Sequence, residues 1–168
     1  MKLGILTSIF GNYNFEQVLD MTSEFGLECM EVACWPQGEG ERRYAGVCHI
    51  DCENFTDEEA HTIINKCEEK KIFISALGFY ANLMDENLEK RKENIQHFMK
   101  VIDVSAKLNI NMVTGFLGRM QHKTLEENLK AVKEIWTPII HYAESKKVRI
   151  AIENCPMLFT QDEWPGGQ

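Results

Sequence analysis

The chain has 168 residues, 44% of them hydrophobic and 26% charged, an ordinary balance for one soluble globular domain. Its 18 basic and 26 acidic residues leave a formal net charge of −8. There is no basic block, which disfavours binding along a nucleic-acid backbone, and no stretch approaches the ~18 uninterrupted apolar residues of a membrane span.

The N-terminus reads directly into patterned sequence, so it is not taken as a signal peptide. Residues 2–8 (KLGILTS) form a short apolar run that predicts a strand, ended by Gly11 and Asn12. Residues 14–25 place Phe15, Val18, Leu19, Thr22 and Phe25 on one helical face, with Asn14 as N-cap and Gly26 as the glycine after the helix. Residues 28–33 (ECMEVA) predict a second strand. A long connection over 34–55 follows, well beyond an ordinary strand-to-helix loop. Residues 56–70 open with the capping box Thr56-x-x-Glu59 and carry Ala60, Ile63, Ile64 and Cys67 on one face. Residues 72–78 (IFISALG) predict a third strand. A long helix spans 85–108, with Leu88, Ile95, Phe98, Met99, Ile102 and Ala106 at helical spacing. Residues 111–116 (NMVTGF) predict a fourth strand. Thr124-x-x-Glu127 opens a helix to about residue 146, with Leu125, Leu129, Val132, Trp136, Ile139 and Ala143 inward. Pro138 predicts a kink or a split in it. Residues 147–153 (KVRIAIE) predict a fifth strand, and the tail 154–168 has no clear periodicity.

Strands separated by helices imply right-handed crossovers and a parallel sheet. Near-continuous apolar strands fit burial on both faces. An open doubly wound sheet and a (β/α)8 barrel both accept the pattern. No G-x-G-x-x-G follows the first strand and no phosphate-binding P-loop motif occurs, so the nucleotide-binding version of the open sheet loses its best support. The six cysteines read as reduced thiols of a cytoplasmic protein, mostly small buried hydrophobes. Cys48-His49-Ile50-Asp51-Cys52 lacks a second cysteine pair, so it is read as part of the long loop and not as a structural zinc site.

The segment Ile150-Ala151-Ile152-Glu153-Asn154-Cys155-Pro156-Met157 resembles the fifth strand of the xylose-isomerase-like TIM-barrel superfamily. Lys2-Leu3-Gly4-Ile5 is similar to that family's first strand. Phe25-Gly26-Leu27-Glu28-Cys29-Met30-Glu31-Val32 is similar to its second unit, and Ile74-Ser75-Ala76-Leu77-Gly78 with Asn82 and Leu83 to its third. The resemblance implies an α/β fold of parallel (β/α) units: about five strands and four helices of an incomplete barrel, in a single domain over 1–168. Such barrels run to roughly 250 residues. The segment 159–168 is similar to the loop that leads into the family's second half, whose ligands have no counterpart here.

By the same resemblance the expected activity is metal-dependent isomerisation or epimerisation of a small sugar or sugar phosphate, weak or absent in this chain alone. Glu153 is the expected metal ligand and catalytic residue. The implied cofactor is a divalent ion, with Mn²⁺, Mg²⁺, Co²⁺ and Zn²⁺ all open. Removing a proton beside a carbonyl needs a base and an acid, and a metal polarises the carbonyl. Trp35, Tyr80, Asn82, Arg119 and His122 follow strands and are candidate substrate-binding residues; an aromatic ring stacks on a sugar face and Arg grips phosphate. For each, a solvated loop residue is the plainer reading. Glu31 points into the barrel, or pairs with Arg149 or a lysine. Two other classes stay open. One is a non-catalytic half-barrel that assembles as a homodimer or with a missing C-terminal half. The other is an apurinic endonuclease, disfavoured by the acidic charge and by the lack of a histidine after the fourth strand.

Overall fold

The computed structural model describes residues 1–38 and 45–155. The tail beyond residue 155 and part of the 34–55 connection lie outside the described residues. Five strands alternate with four helices: β1 (Gly4–Leu6), α1 (Phe15–Glu24), β2 (Cys29–Ala33), α2 (Asp57–Lys70), β3 (Phe73–Gly78), α3 (Leu88–Lys107), β4 (Met112–Phe116), α4 (Leu125–Ser145) and β5 (Arg149–Glu153). A single 3₁₀ turn, Thr7–Phe10, follows β1 and shortens the strand expected there. Among the described residues, no helix is long and apolar enough to cross a membrane.

The strands form one parallel sheet in the order β1-β2-β3-β4-β5, and β1 and β5 are not joined. Each helix is therefore the crossover that returns the chain to the next parallel strand. Side chains alternate across the sheet. Met30, Val32, Leu77 and Val113 are fully buried in the core that the helices cover. The opposite, inner face takes the alternate positions. Register pairs Leu6 with Glu31, Glu31 with Ala76, Gly78 with Thr114, Thr114 with Ala151, and Phe116 with Glu153. One residue of slip would turn every one of these to the core.

The helix starts follow local chemistry. Asn14 with Gln17, Thr56 with Glu59 and Thr124 with Glu127 each form a reciprocal capping box, satisfying N–H groups that lack helical partners. The third helix begins at Leu88 instead of residue 85, because the Asn87 side chain caps it by accepting from Glu89 and Lys90. Gly26 takes the left-handed conformation after α1 (φ 69°), as expected, and Lys71, Asn109 and Lys147 take it after the other three helices.

Three expectations about packing change. Helix α4 continues unbroken through Pro138. Trp136, Ile139 and Ala143 are buried on both sides of the proline, and that burial offsets the ~3 kcal/mol cost of a proline in a helix interior. Leu125 and Leu129 are 75% and 62% exposed instead of inward. They sit on the first turns of α4 and line a cleft with Ile152. Leu88 and Phe25, at the two ends of their helices, are exposed as well.

Candidate active site at the strand ends

The inner face gathers its polar groups where the strands end, at the C-terminal side of the sheet. Glu31 is half-buried in β2. Its Oε1 accepts hydrogen bonds from the Thr114 hydroxyl (2.7 Å) and from the Tyr80 hydroxyl. These are the partners of Glu31 in place of the Arg149 or lysine considered from sequence. Burial, and then the hydrogen bond to Glu31, push the Tyr80 hydroxyl above the ordinary phenol value, and the Glu153 charge adds to the shift. Tyr80 therefore stays protonated and donates. Its ring lies 5.0 Å from that of Phe116, the residue in register with Glu153. Gly78 makes room for this cluster: a Cβ there would stand 2.7 Å from the Glu31 carboxylate and 3.0 Å from the Tyr80 ring.

Glu153 is exposed at the last position of β5. It lines a cleft of about 480 Å³ with Arg119, Leu117, Leu129 and Ile152. Tyr80 is close enough to feel its charge, so Glu153, Tyr80 and Glu31 belong to one neighbourhood, with Arg119 on its β4 side.

The other candidates lie elsewhere. The Asn82 side chain is spent on the backbone. Its Nδ2 donates to the Arg119 carbonyl, while Oδ1 accepts from the N–H groups of Arg119 and Met84. It pins the loop after β3 to the loop after β4. His122 is mostly exposed on the β4–α4 loop, with its backbone N–H on Glu86. Trp35 packs edge-on to Phe79, with ring centroids 4.9 Å apart, and Phe79 in turn meets His97.

His49, from the long connection, also serves the strand ends. The Ala33 N–H donates to the Thr7 hydroxyl, which is also hydrogen-bonded to His49 Nδ1 (2.9 Å). Nε2–H donates to the Phe10 carbonyl. A carbonyl only accepts, so Nε2 carries the proton, and in the neutral ring Nδ1 accepts from the Thr7 hydroxyl; burial holds the imidazole below its ordinary pKa. Burial also pushes the neighbouring Cys48 thiol up to about 12. All six cysteines are free.

Sequence reasoning left Glu31 either pointing into the barrel or paired with a cation, named neither of its hydroxyl partners, and passed over Thr114 and Gly78 as site residues. The available signal was period-two alternation: Glu31 stands between the fully buried Met30 and Val32, and Thr114 follows the fully buried Val113, so both face the other way.

As to metal, Glu153 offers a hard oxygen ligand at a strand end. Among the described residues, no group of three His, Cys, Asp or Glu side chains is placed to hold an ion. Glu153 thus fits one ligand position and not a complete set.

The model of the family described as xylose isomerase-like TIM barrel matches residues 19–165. No curated protein matches. Among solved structures, a D-psicose 3-epimerase determined in the presence of D-fructose is 19% identical with a TM-score of 0.66, over 90% of this chain and 52% of its own. A D-psicose 3-epimerase with D-tagatose, from Clostridium cellulolyticum H10, is 14% identical with a TM-score of 0.62, over 90% and 52%. The IolI protein with a bound zinc atom is 16% identical with a TM-score of 0.63, over 90% and 51%. This chain thus spans about half the length of these structures, and at such identities the likeness is one of fold. With the family model covering most of its length and the parallel strand–helix units running in barrel order, the chain belongs to the xylose isomerase-like TIM-barrel family.

Proposed function

We propose that this chain acts in the metal-dependent isomerisation or epimerisation of a small sugar or sugar phosphate, with Glu153 as a metal ligand. The observation that carries this reading is the position of Glu153: an exposed carboxylate at the C-terminal end of a barrel strand, where such barrels build their sites, beside Tyr80 and Glu31. The similar structures determined with D-fructose, with D-tagatose and with zinc support the ligand classes. A bound divalent ion would polarise the substrate carbonyl and steady enediolate charge. Tyr80 and Phe116 offer an aromatic surface for a sugar face, and Arg119 a cation on the Glu153 side. A complete metal site needs donors from outside the described residues. The six free thiols favour a cytoplasmic setting.

The test is calorimetric titration of Mn²⁺ into the wild type and into Glu153→Gln. A site built on Glu153 weakens at least about tenfold in the variant, because the charged oxygen ligand is lost. Equal Mn²⁺ affinity for the two proteins sinks the assignment.

A further inference from the structure

Three of the cysteines meet at the end of β2, and the chemistry proposed above uses none of them. Cys34 follows the strand directly, while Cys48 and Cys52 come from the long connection. Cys34 and Cys48 are partners in an isolated antiparallel bridge. The bonds that flank the bridge run from the Trp35 N–H to the Val47 carbonyl (3.2 Å) and from the His49 N–H to the Ala33 carbonyl (3.0 Å). Cys34 turns its own backbone elsewhere. Its N–H donates to the Gly78 carbonyl, and its carbonyl accepts from His97 Nε2 (2.7 Å). Cys34 and Cys48 are therefore a non-hydrogen-bonded antiparallel pair.

A pair of that type brings its Cα atoms to about 4.5 Å and sets both side chains on the same side of the ladder. A disulfide spans Cα separations of about 4.4–6.8 Å, so these two thiols can be joined with little backbone movement. Both backbones are also held in place. Gly78 in β3 and His97 in α3 grip Cys34, and His49, next to Cys48, is gripped by Thr7 and Phe10.

Burial sets how such a bond would form. Cys34 is fully buried and Cys48 half-buried, so a reagent enters at Cys48. Burial raises both thiols, Cys48 to about 12, and the adjoining Cys52 thiol raises Cys34 further. Thiolate is scarce at neutral pH and exchange is slow. That profile suits a bond that persists once made, and not a catalytic dithiol.

We propose that Cys34 and Cys48 are a reversible disulfide site, oxidised by a low-molecular-weight disulfide, that clamps the long connection to the end of β2. The Cys48 thiolate attacks one sulfur of the small disulfide, whose S–S bond breaks and releases one thiolate. The Cys34 thiolate then attacks Cys48 Sγ and expels the second. The two cysteines lose two electrons and two protons, and the small disulfide becomes two thiols. The bond closes a loop of about 15 residues, which removes freedom from the unfolded chain. It lies at the C-terminal side of the sheet, where Glu31 and Glu153 stand. The site is independent of the sugar-isomerase reading, and in a reducing cell a bond of this kind is transient and redox-sensing.

The experiment incubates the full chain with glutathione disulfide at about pH 8.5, where thiolate is more abundant. Remaining thiols are then alkylated, and the protein is digested without reduction for mass spectrometry. Wild type is expected to yield one linked peptide pair, joined through Cys34 and Cys48. Its melting temperature is expected to rise by about 5–10 °C and to fall back on adding dithiothreitol. Cys48→Ser should show neither the linked pair nor the rise. Cys52→Ala should keep both, which separates the bridge partner from the neighbouring thiol. Alkylated Cys34 and Cys48 after oxidation overturn the proposal. So does Cys48 carrying only a glutathione adduct, or Cys34 bonded to Cys52 in the wild type. If a variant does not fold, the wild-type peptide map still decides.

Discussion

Gly78 and Gly115 stand in adjacent strands on opposite faces, and the same substitution separates their roles. A Cβ at Gly115 would lie 2.7 Å from the Phe79 backbone oxygen and 3.2 Å from the Phe98 ring. Backbone and a fully buried ring have little room to yield. Gly115→Ala is expected to cost about 1–3 kcal/mol by chemical denaturation. At Gly78 the nearest atom is the end of the Glu31 side chain, which can swing away. Gly78→Ala is expected to cost less, about 1 kcal/mol or under, while dislodging the carboxylate from Thr114 and Tyr80. Equal losses in the two variants would contradict this account. His49 gives a pH prediction. Its folded pKa lies below the ordinary value near 6.5 because burial disfavours the charged ring. The unfolded chain therefore takes up its proton first as pH falls. The stability lent by neutral His49 is present above pH 6.5 and is lost as pH drops from there toward the folded value. The slope is at most about 1.4 kcal/mol per pH unit. Denaturation of wild type and His49→Gln between pH 7.5 and 5 checks it: the variant should show the shallower dependence.

At the scale of elements, helix starts were more legible than helix ends. The capping boxes at Thr56 and Thr124 are local, three residues across, and require only their own side chains. Gly26 was legible as a helix end because glycine tolerates positive φ. Lys71 (φ 58°) carries no such signal; the Schellman-type bonds from Lys71 and Ile72 back into α2 hold it in the left-handed region. Lys71→Gly should relieve that strain and stabilise the protein by about 0.5–1 kcal/mol, measured as a rise in melting temperature. A fall would mean that the extra unfolded-state freedom of glycine outweighs the strain. The burial of α4 follows the same division. Its apolar spacing from Leu125 to Ala143 is regular, but only the half lying over the sheet has anything to pack against.

At the scale of the whole molecule, among the described residues β1 and β5 each have one strand neighbour. Sheet edges that are unpaired among the described residues, and exposed Leu3, Phe73 and Ile152, favour association. A second copy is the simplest partner, in a closed symmetric pair. Light scattering after gel filtration should give twice the chain mass at about 10 μM. A monomer with a cooperative melt removes this expectation.

The order of elements, their parallel pairing and the helix caps at Asn14, Thr56 and Thr124 were determined by the sequence alone, because each depends on spacing within a few residues or on the geometry of a strand–helix–strand crossover. The resemblance around Glu153 was equally legible, since it lies in one contiguous stretch. The company Glu31 keeps was decided only by tertiary structure. Tyr80 and Thr114 lie 49 and 83 residues away in the chain, and strand register, together with the space left by Gly78, sets which hydroxyls meet that carboxylate. Asn82 shows the converse: its position after a strand marked it as a substrate contact, whereas folding turned its amide onto the backbone of the next loop. Local chemistry is written along the chain; the pairing of distant polar groups waits until the sheet has stacked them side by side.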